Sequence, residues 1–336
     1  MTSTQGVESH EALAQTPIRA LGGRQSAWTA VASLAWLASA VITIEWPNAD
    51  DSPRTAEFAV LQFVVALFVF ASLALGTRAP RLHARVRKLT PWLVVLALGF
   101  TAWEIVTAKL QLLPRPFFEP PQALIDVFAE DWPRLGTSVL ASLRLLVTGY
   151  LLGACAGFGV GVSIGWSRAA GYWLHPVLRF VGPLPATAWL PLAFFFFPSS
   201  YSAGLFLIAL STSFPVAVLT WSGVAAVDTA FYDIARTLGA RSWFLVLRVA
   251  IPAALPSVFV GLFMGLGAAF SVLVVAEMMG VKAGLGWYLS WAQGWASYAN
   301  MYAALLVMAV MCSGLITGLF KARDRLLGWQ KGAVKW

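Results

Sequence analysis

The sequence predicts an all-α, polytopic membrane protein with eight spanning helices: a two-helix hairpin followed by a six-helix unit. Three observations lead there. Of 336 residues, 59% are hydrophobic and only 11% charged, where a soluble chain carries roughly 25% charged residues. Uncharged runs repeatedly reach the about 20 residues that a helix needs to cross the hydrocarbon. The scarce charges fall into segments of alternating sign.

The uncharged runs are Gln25 to Ile44, Phe58 to Thr77, Leu89 to Trp103, Leu145 to Ser167, Phe180 to Val227, Val249 to Ala276 and Ala283 to Phe320. The fifth is long enough for two spans, with a break near Pro198 to Ser202. The last opens with a polar aromatic stretch, Trp287 to Tyr302, so its span is expected to begin near Asn300. Arg78 to Lys88 holds five Lys/Arg and no acid, and the tail from Lys321 holds five Lys/Arg and one acid. Glu45 to Glu57 and Glu119 to Arg134 each hold four acids and one Arg. Eight crossings put the basic segments on one side and the acidic ones on the other. Positive charge stays inside, which places both termini on the cytoplasmic side of the membrane.

The divisions follow: residues 1–26 a polar cytoplasmic tail, 27–77 the hairpin, 78–88 a basic cytoplasmic linker, 89–320 the six-helix unit and 321–336 a basic cytoplasmic tail. The first 26 residues lack the apolar core of a signal peptide. The net charge of +8 then reads as topology, not as a nucleic-acid footprint. Cys155 and Cys312 lie in apolar runs and read as buried small hydrophobes.

Within the six-helix unit, Gln111 to Pro116 ends the first helix on the outer side. Pro120 to Trp132 reads as an amphipathic surface helix with Leu124, Val127 and Phe128 on one face. Gly149, Gly153, Gly157, Gly161 and Gly165 stand four apart, a stripe that either admits another backbone closely or lines a path that moves. The pairs Gly261/Gly265 and Gly314/Gly318 read the same way. Pro183, Pro185, Pro191 and Pro198 crowd one span with Trp189. Irregular backbone at membrane depth needs a cavity or protein cover, so Pro185, Trp189 and Pro191 are candidates for a pathway lining or for a kinked structural helix.

The most informative segment is Ala226 to Pro256. Asp228 can cap a helix whose apolar face is Phe231, Ile234 and Leu238. Gly239 is placed to end it, and Ser242 can cap a second short helix delivering Trp243, Phe244 and Val246. Such a basic-flanked knob either lies on lipid or is presented to a cytoplasmic partner.

This segment resembles the EAA loop of ABC-importer permeases: Glu-Ala-Ala, three residues, Gly, nine residues, Ile-x-Leu-Pro. Here the positions are Asp233-Ile234-Ala235, Gly239, Val249 and Ile251-Pro252, with every spacing kept. The departures are Asp for Glu, Ile for the first Ala, Val for Ile and Ile for Leu. Over about residues 91–330 the chain is similar to the nitrate/sulfonate/taurine branch, carried by Trp103-Glu104, Leu112-Leu113-Pro114, Gly182-Pro183-Leu184-Pro185, Trp189-Leu190-Pro191-Leu192, Val275 to Gly280 and Gly284-Leu285-Gly286. The resemblance implies a type I importer-like permease core and a coupling loop at 228–252 that docks on a separate ATPase subunit. Asp233, Ala235 and Gly239 would sit at the docking turn, with Arg236 and Arg241 making polar contacts. It further implies two ATPase copies carrying ATP and Mg, a second permease copy forming a homodimer, an extracytoplasmic binding protein, and a small anion such as nitrate, sulfonate or taurine as substrate.

The chain lacks a Gly-x-x-x-x-Gly-Lys-Ser/Thr phosphate loop, so it is expected not to be an enzyme and to bind no cofactor itself. His10, His83 and His175 are scattered, and no metal site is expected. Glu104 and Glu277 stand at span ends. They are either gating groups or interface anchors and ion-pair members, with Arg144 a possible partner. Two other functions fit the hydropathy: an ion-driven secondary transporter, and an integral-membrane enzyme or scaffold with no solute flux.

Overall fold

The computed structural model of the chain describes residues 16–75, 80–113, 115–182 and 184–330. The sequence readings at residues 1–15, 76–79 and 331–336, and at Pro114 and Pro183, lie outside the described residues. Every regular element is a helix among those described, and the chain is an all-α, multi-pass membrane protein. It divides after Glu130 into two units.

The first unit holds α1 (Thr16–Glu45), α2 (Thr55–Ala74), α3 (Pro80–Glu104) and the short α4 (Pro121–Glu130). The helix α1 reaches back into the expected tail, and α3 begins inside the expected basic linker. Helix α3 also groups with the hairpin, where the sequence placed it in the six-helix unit. The reason is packing: Trp36, Ala66 and Ala97, one from each helix, form a buried cluster. The Trp36 indole N–H donates to the Leu93 carbonyl at 3.0 Å. In α4, Leu124 and Val127 are buried, but Phe128 is exposed, not part of the buried face.

The second unit holds α5 (Trp132–Trp166), α6 (Arg168–Val181), α7 (Leu190–Phe196), α8 (Ser200–Ala225), α9 (Thr229–Thr237), α10 (Ser242–Leu245), α11 (Ile251–Met279), α12 (Leu285–Gly294) and α13 (Tyr298–Leu326). The core is α8 sandwiched between α5 and α11. The glycine stripe of α5 makes this contact. A Cβ on Gly153, Gly157 or Gly161 would sit 2.4–2.6 Å from the carbonyl oxygens of Ala209, Ser213 and Ala217. Gly149 and Gly165 face Ile208 and Val224. Gly261 and Gly265 of α11 approach α8 in the same manner. Gly314 and Gly318 do not: a Cβ on either would meet nothing within 4 Å, because α13 turns that face away from its neighbours.

The register of the stripe decides the topology. Successive glycines of α5 meet successively later residues of α8, so the two helices run parallel. Residues 168–199 must therefore return over the same height. They do so as α6 and the 186–196 segment, bent by 86°. Among the described residues, seven helices are long and apolar enough to span, and the bent pair taken as one crossing makes eight. Proline explains the bend, since it removes backbone donors: Pro185 caps a short 3-10 turn, Ala186–Trp189, and Pro191 lies in the first turn of α7.

Cys155 is exposed and Cys312 partly so, against the buried positions expected. Both sit on outward helix faces, where a membrane or a partner replaces the protein core as apolar surroundings.

Candidate functional site

The loop between α8 and α11 projects from the second unit. The Asp228 carboxylate accepts from the Ala230 N–H at 2.9 Å and starts α9. Gly239, at φ +83°, ends it. Only glycine takes that region without cost, and a Cβ there would meet nothing, so the demand is conformational, not steric. Ser242 caps nothing; it is the first residue of α10, and Arg241 holds the cap position without a side-chain bond.

Phe231, Ile234, Leu238, Trp243 and Phe244 are all exposed, Leu238 at 83%. Ala235, Leu238, Gly239, Arg241, Trp243 and Leu247 line an open cavity of about 590 Å³. Asp233 and Arg236 pair at 3.2 Å on the exposed face of α9. The remaining motif residues lie elsewhere. Val249 falls in a π turn, Val246–Ala250, and Ile251 and Pro252 open α11, all half-buried. The motif thus divides into an exposed knob, Asp233 to Arg241, and an anchor in the span.

The two candidate carboxylates are both buried, Glu104 at 0% and Glu277 at 1%, and neither meets Arg144, which is exposed. Glu104 belongs to the first unit. The Lys109 ammonium lies 3.5 Å from its Oε1, and Thr43 Oγ1 lies 2.6 Å from its Oε2. A π turn at Ile105–Lys109 brings Lys109 beneath Glu104 by adding a residue to the helical turn. Lys109 also donates to the carbonyls of Thr43, at 3.0 Å, and Trp46. Glu104 is therefore an ion-pair member, and Lys109 is the partner the sequence reading missed.

Glu277 closes the second unit. The Ser142 hydroxyl donates to its carboxylate, with oxygens 2.7 and 2.9 Å away. The Gly286 N–H donates to Oε2 at 2.8 Å, and Ser142 Oγ accepts from the Leu285 N–H at 2.8 Å. The carboxylate and Ser142 Oγ thus each satisfy one orphan donor at the start of α12. Gly284, at φ +122°, leaves room for it: a Cβ there would lie 2.2 Å from Oε1. Along α12, the Tyr288 hydroxyl donates to Asp131 at 2.6 Å. Burial and that carboxylate push the phenol pKa up. Arg134 lies over the Trp291 ring.

Pro185, Trp189 and Pro191 form the bend itself, Pro185 and Pro191 exposed and Trp189 half-buried. The Ala186–Trp189 turn packs against α8 and α11. Among the described residues, no group of three His, Cys, Asp or Glu side chains is placed to hold a metal ion. His83 contacts the Ser72 carbonyl, and His175 packs edge-on against Trp221.

Fold and loop together define a class: a multi-pass helical membrane component with a structured, largely exposed loop between two of its spans. The model of binding-protein-dependent transport system inner membrane components matches residues 149–326, more than half of the chain, and the chain belongs to that family. It is 28% identical to the nitrate import permease protein NrtB of Synechococcus elongatus, over 51% of this chain and 64% of that protein. It is 31% identical to a probable ABC transporter permease protein of Brucella melitensis, over 52% and 70%. It is 30% identical to the taurine transport system permease protein TauC of Escherichia coli, over 49% and 64%. The chain spans just under two thirds of the nitrate and taurine relatives' lengths.

Proposed function

We propose that this chain is the permease subunit of an ATP-binding-cassette importer, forming the substrate pathway and coupling to a separate ATPase through the 228–252 loop. One observation carries the reading: five large apolar side chains stand exposed, among the described residues, on a capped, glycine-terminated helix-turn-helix. A knob of that kind needs a partner surface. The family membership and the relatives named as ABC permeases support an ATPase as that surface.

In this reading Asp233, Ile234, Ala235, Arg236, Gly239 and Arg241 meet the ATPase, while Val249, Ile251 and Pro252 tie the loop to α11. Two ATPases, which hold the ATP and Mg, serve a homodimer of this chain, and an extracytoplasmic binding protein delivers the substrate. Membrane lipid surrounds the spans, and no nucleic acid is involved. The basic segments Arg78 to Lys88 and the tail from Lys321 support a bacterial inner-membrane orientation with both termini cytoplasmic. The substrate class is a small anion such as nitrate, a sulfonate or taurine, the kind of solute named for two relatives.

The test is Gly239→Val in the full chain. The β-branched residue is strained at a positive φ, so ATPase co-purification should be lost while membrane insertion persists. Undiminished co-purification overturns the coupling assignment. Uptake that continues without any ATPase favours an ion-driven transporter instead.

A further inference from the structure

Helix α9 touches the membrane part of the second unit through very little. All its residues are exposed except Tyr232 and Ala235, which are half-buried. Ala235 lines the open cavity of the knob. Tyr232 points the other way. Its ring stands edge-on to Trp166, centroids 5.8 Å apart at 66°. It also packs, with Val162, against a buried cluster of Val224, Ala250 and Ala254. Burial pushes the Tyr232 phenol pKa up.

These contacts belong to three different spans. Val162 and Trp166 are the last turns of α5, Val224 is the end of α8, and Ala250 and Ala254 begin the α11 span. Trp166 follows Gly165, whose Cα faces Val224 closely enough that a Cβ would lie 2.7 Å from that side chain. The close glycine-lined contact of α5 with α8 thus ends beside the Tyr232 ring. Close-packed interiors transmit displacement because they have no slack. A shift of α9 can reach the spans at this point or through its two chain connections. The connections run through Ala226–Val227 and Ala240–Arg241, outside helix.

We infer that Tyr232 is a positioning residue that transmits movement of the 228–252 loop to the inner ends of α5, α8 and α11 through its contact with Trp166. The inference rests on the reading of that loop as the ATPase contact. It adds that the docking face and the transmitting side chain are separate, since Phe231 and Ile234 point outward and Tyr232 inward.

The test uses the full chain purified with its ATPase in lipid nanodiscs. Hydrogen exchange of residues 158–167 is read with and without ATP and vanadate. The wild type should show an ATP-dependent change there. Tyr232→Ala should keep ATPase co-purification yet cut that change by about fivefold, the worth of one aromatic pair expressed as an equilibrium constant. Tyr232→Phe should behave as wild type, because the ring is retained. Trp166→Leu removes the contact from the other side and should reproduce Tyr232→Ala, which covers a failure of either variant to fold. A full ATP-dependent change in Tyr232→Ala or Trp166→Leu overturns the inference. So does loss of co-purification in both, which would make the pair part of the docking surface. A wild type that binds ATPase but shows no change at 158–167 also overturns it and leaves the coupling assignment intact. A wild type that binds no ATPase overturns the coupling assignment itself.

Discussion

The packing of α5 on α8 can be tested with two glycines two residues apart. Gly157 is buried, and a Cβ there would sit 2.4 Å from the Ser213 carbonyl oxygen. No Cβ tolerates that distance, and the obstacle is backbone, so a helix must move. Gly159 is exposed with nothing within 4 Å. Alanine at either position removes the same helix-interior glycine, a gain of about 0.5–1 kcal/mol. Only Gly157→Ala adds the overpacking cost of about 1–3 kcal/mol. The two variants should therefore differ by about 1–3 kcal/mol, and at roughly 2–4 °C per kcal/mol their midpoints should separate by several degrees. The assay is thermal unfolding of the detergent-solubilised full chain, followed by circular dichroism. Gly159→Ala should melt at or slightly above the wild-type temperature and Gly157→Ala below it. Equal midpoints, or a more stable Gly157→Ala, would refute the close approach of α5 to α8 at this position.

Other expectations follow from the buried polar groups and the strained turn. Glu104→Gln leaves the Lys109 ammonium uncompensated and should destabilise the first unit by about 3–5 kcal/mol. The double variant Glu104→Gln/Lys109→Met should recover much of that loss, read by the same melting assay. Ser142→Ala orphans the Leu285 N–H and removes a donor from Glu277. It should cost about 1–3 kcal/mol and speed hydrogen exchange at residues 285–288, whereas unchanged exchange would remove Ser142 from the start of α12. Gly239→Ala should weaken ATPase binding less than Gly239→Val, since alanine at φ +83° costs of order 1–2 kcal/mol; equal binding by both variants would argue against a left-handed turn.

Tyr288 supplies a pH test. Its phenol pKa is raised in the folded chain, so the folded state holds its proton where the unfolded state, near pH 10, loses it. Stability from this group is complete below about pH 10 and falls as pH rises further. Tyr288→Phe should flatten that decline in alkaline melting curves, and an unchanged slope would count against a raised Tyr288 phenol pKa.

Much of this could be read from the residues in line. The hydropathy runs gave the spans, because a helix in lipid satisfies its own backbone and needs only an apolar surface. The spacing Asp233-Ile234-Ala235 to Gly239 located the knob, because caps and a left-handed glycine are local devices. The partners of Glu104 and Glu277 could not be read this way. Lys109 is five residues from Glu104, a separation that an ordinary helical turn does not bring together, and a π turn is not legible from the residues. Ser142 lies 135 residues from Glu277, and one hydroxyl among many carries no signal of its own.

By itself, then, the sequence determined what each segment is: apolar enough to span, or capped and broken where a short helix must stand between spans. Those properties depend on composition and on neighbours within a turn or two. Only the tertiary structure decided which segments keep company. It grouped α3 with the hairpin, set α5 parallel to α8, closed Glu277 over the start of α12 and turned Tyr232 inward onto Trp166. Each of those depends on groups far apart in the chain meeting at contact distance, and such meetings are fixed by packing, not by local preference.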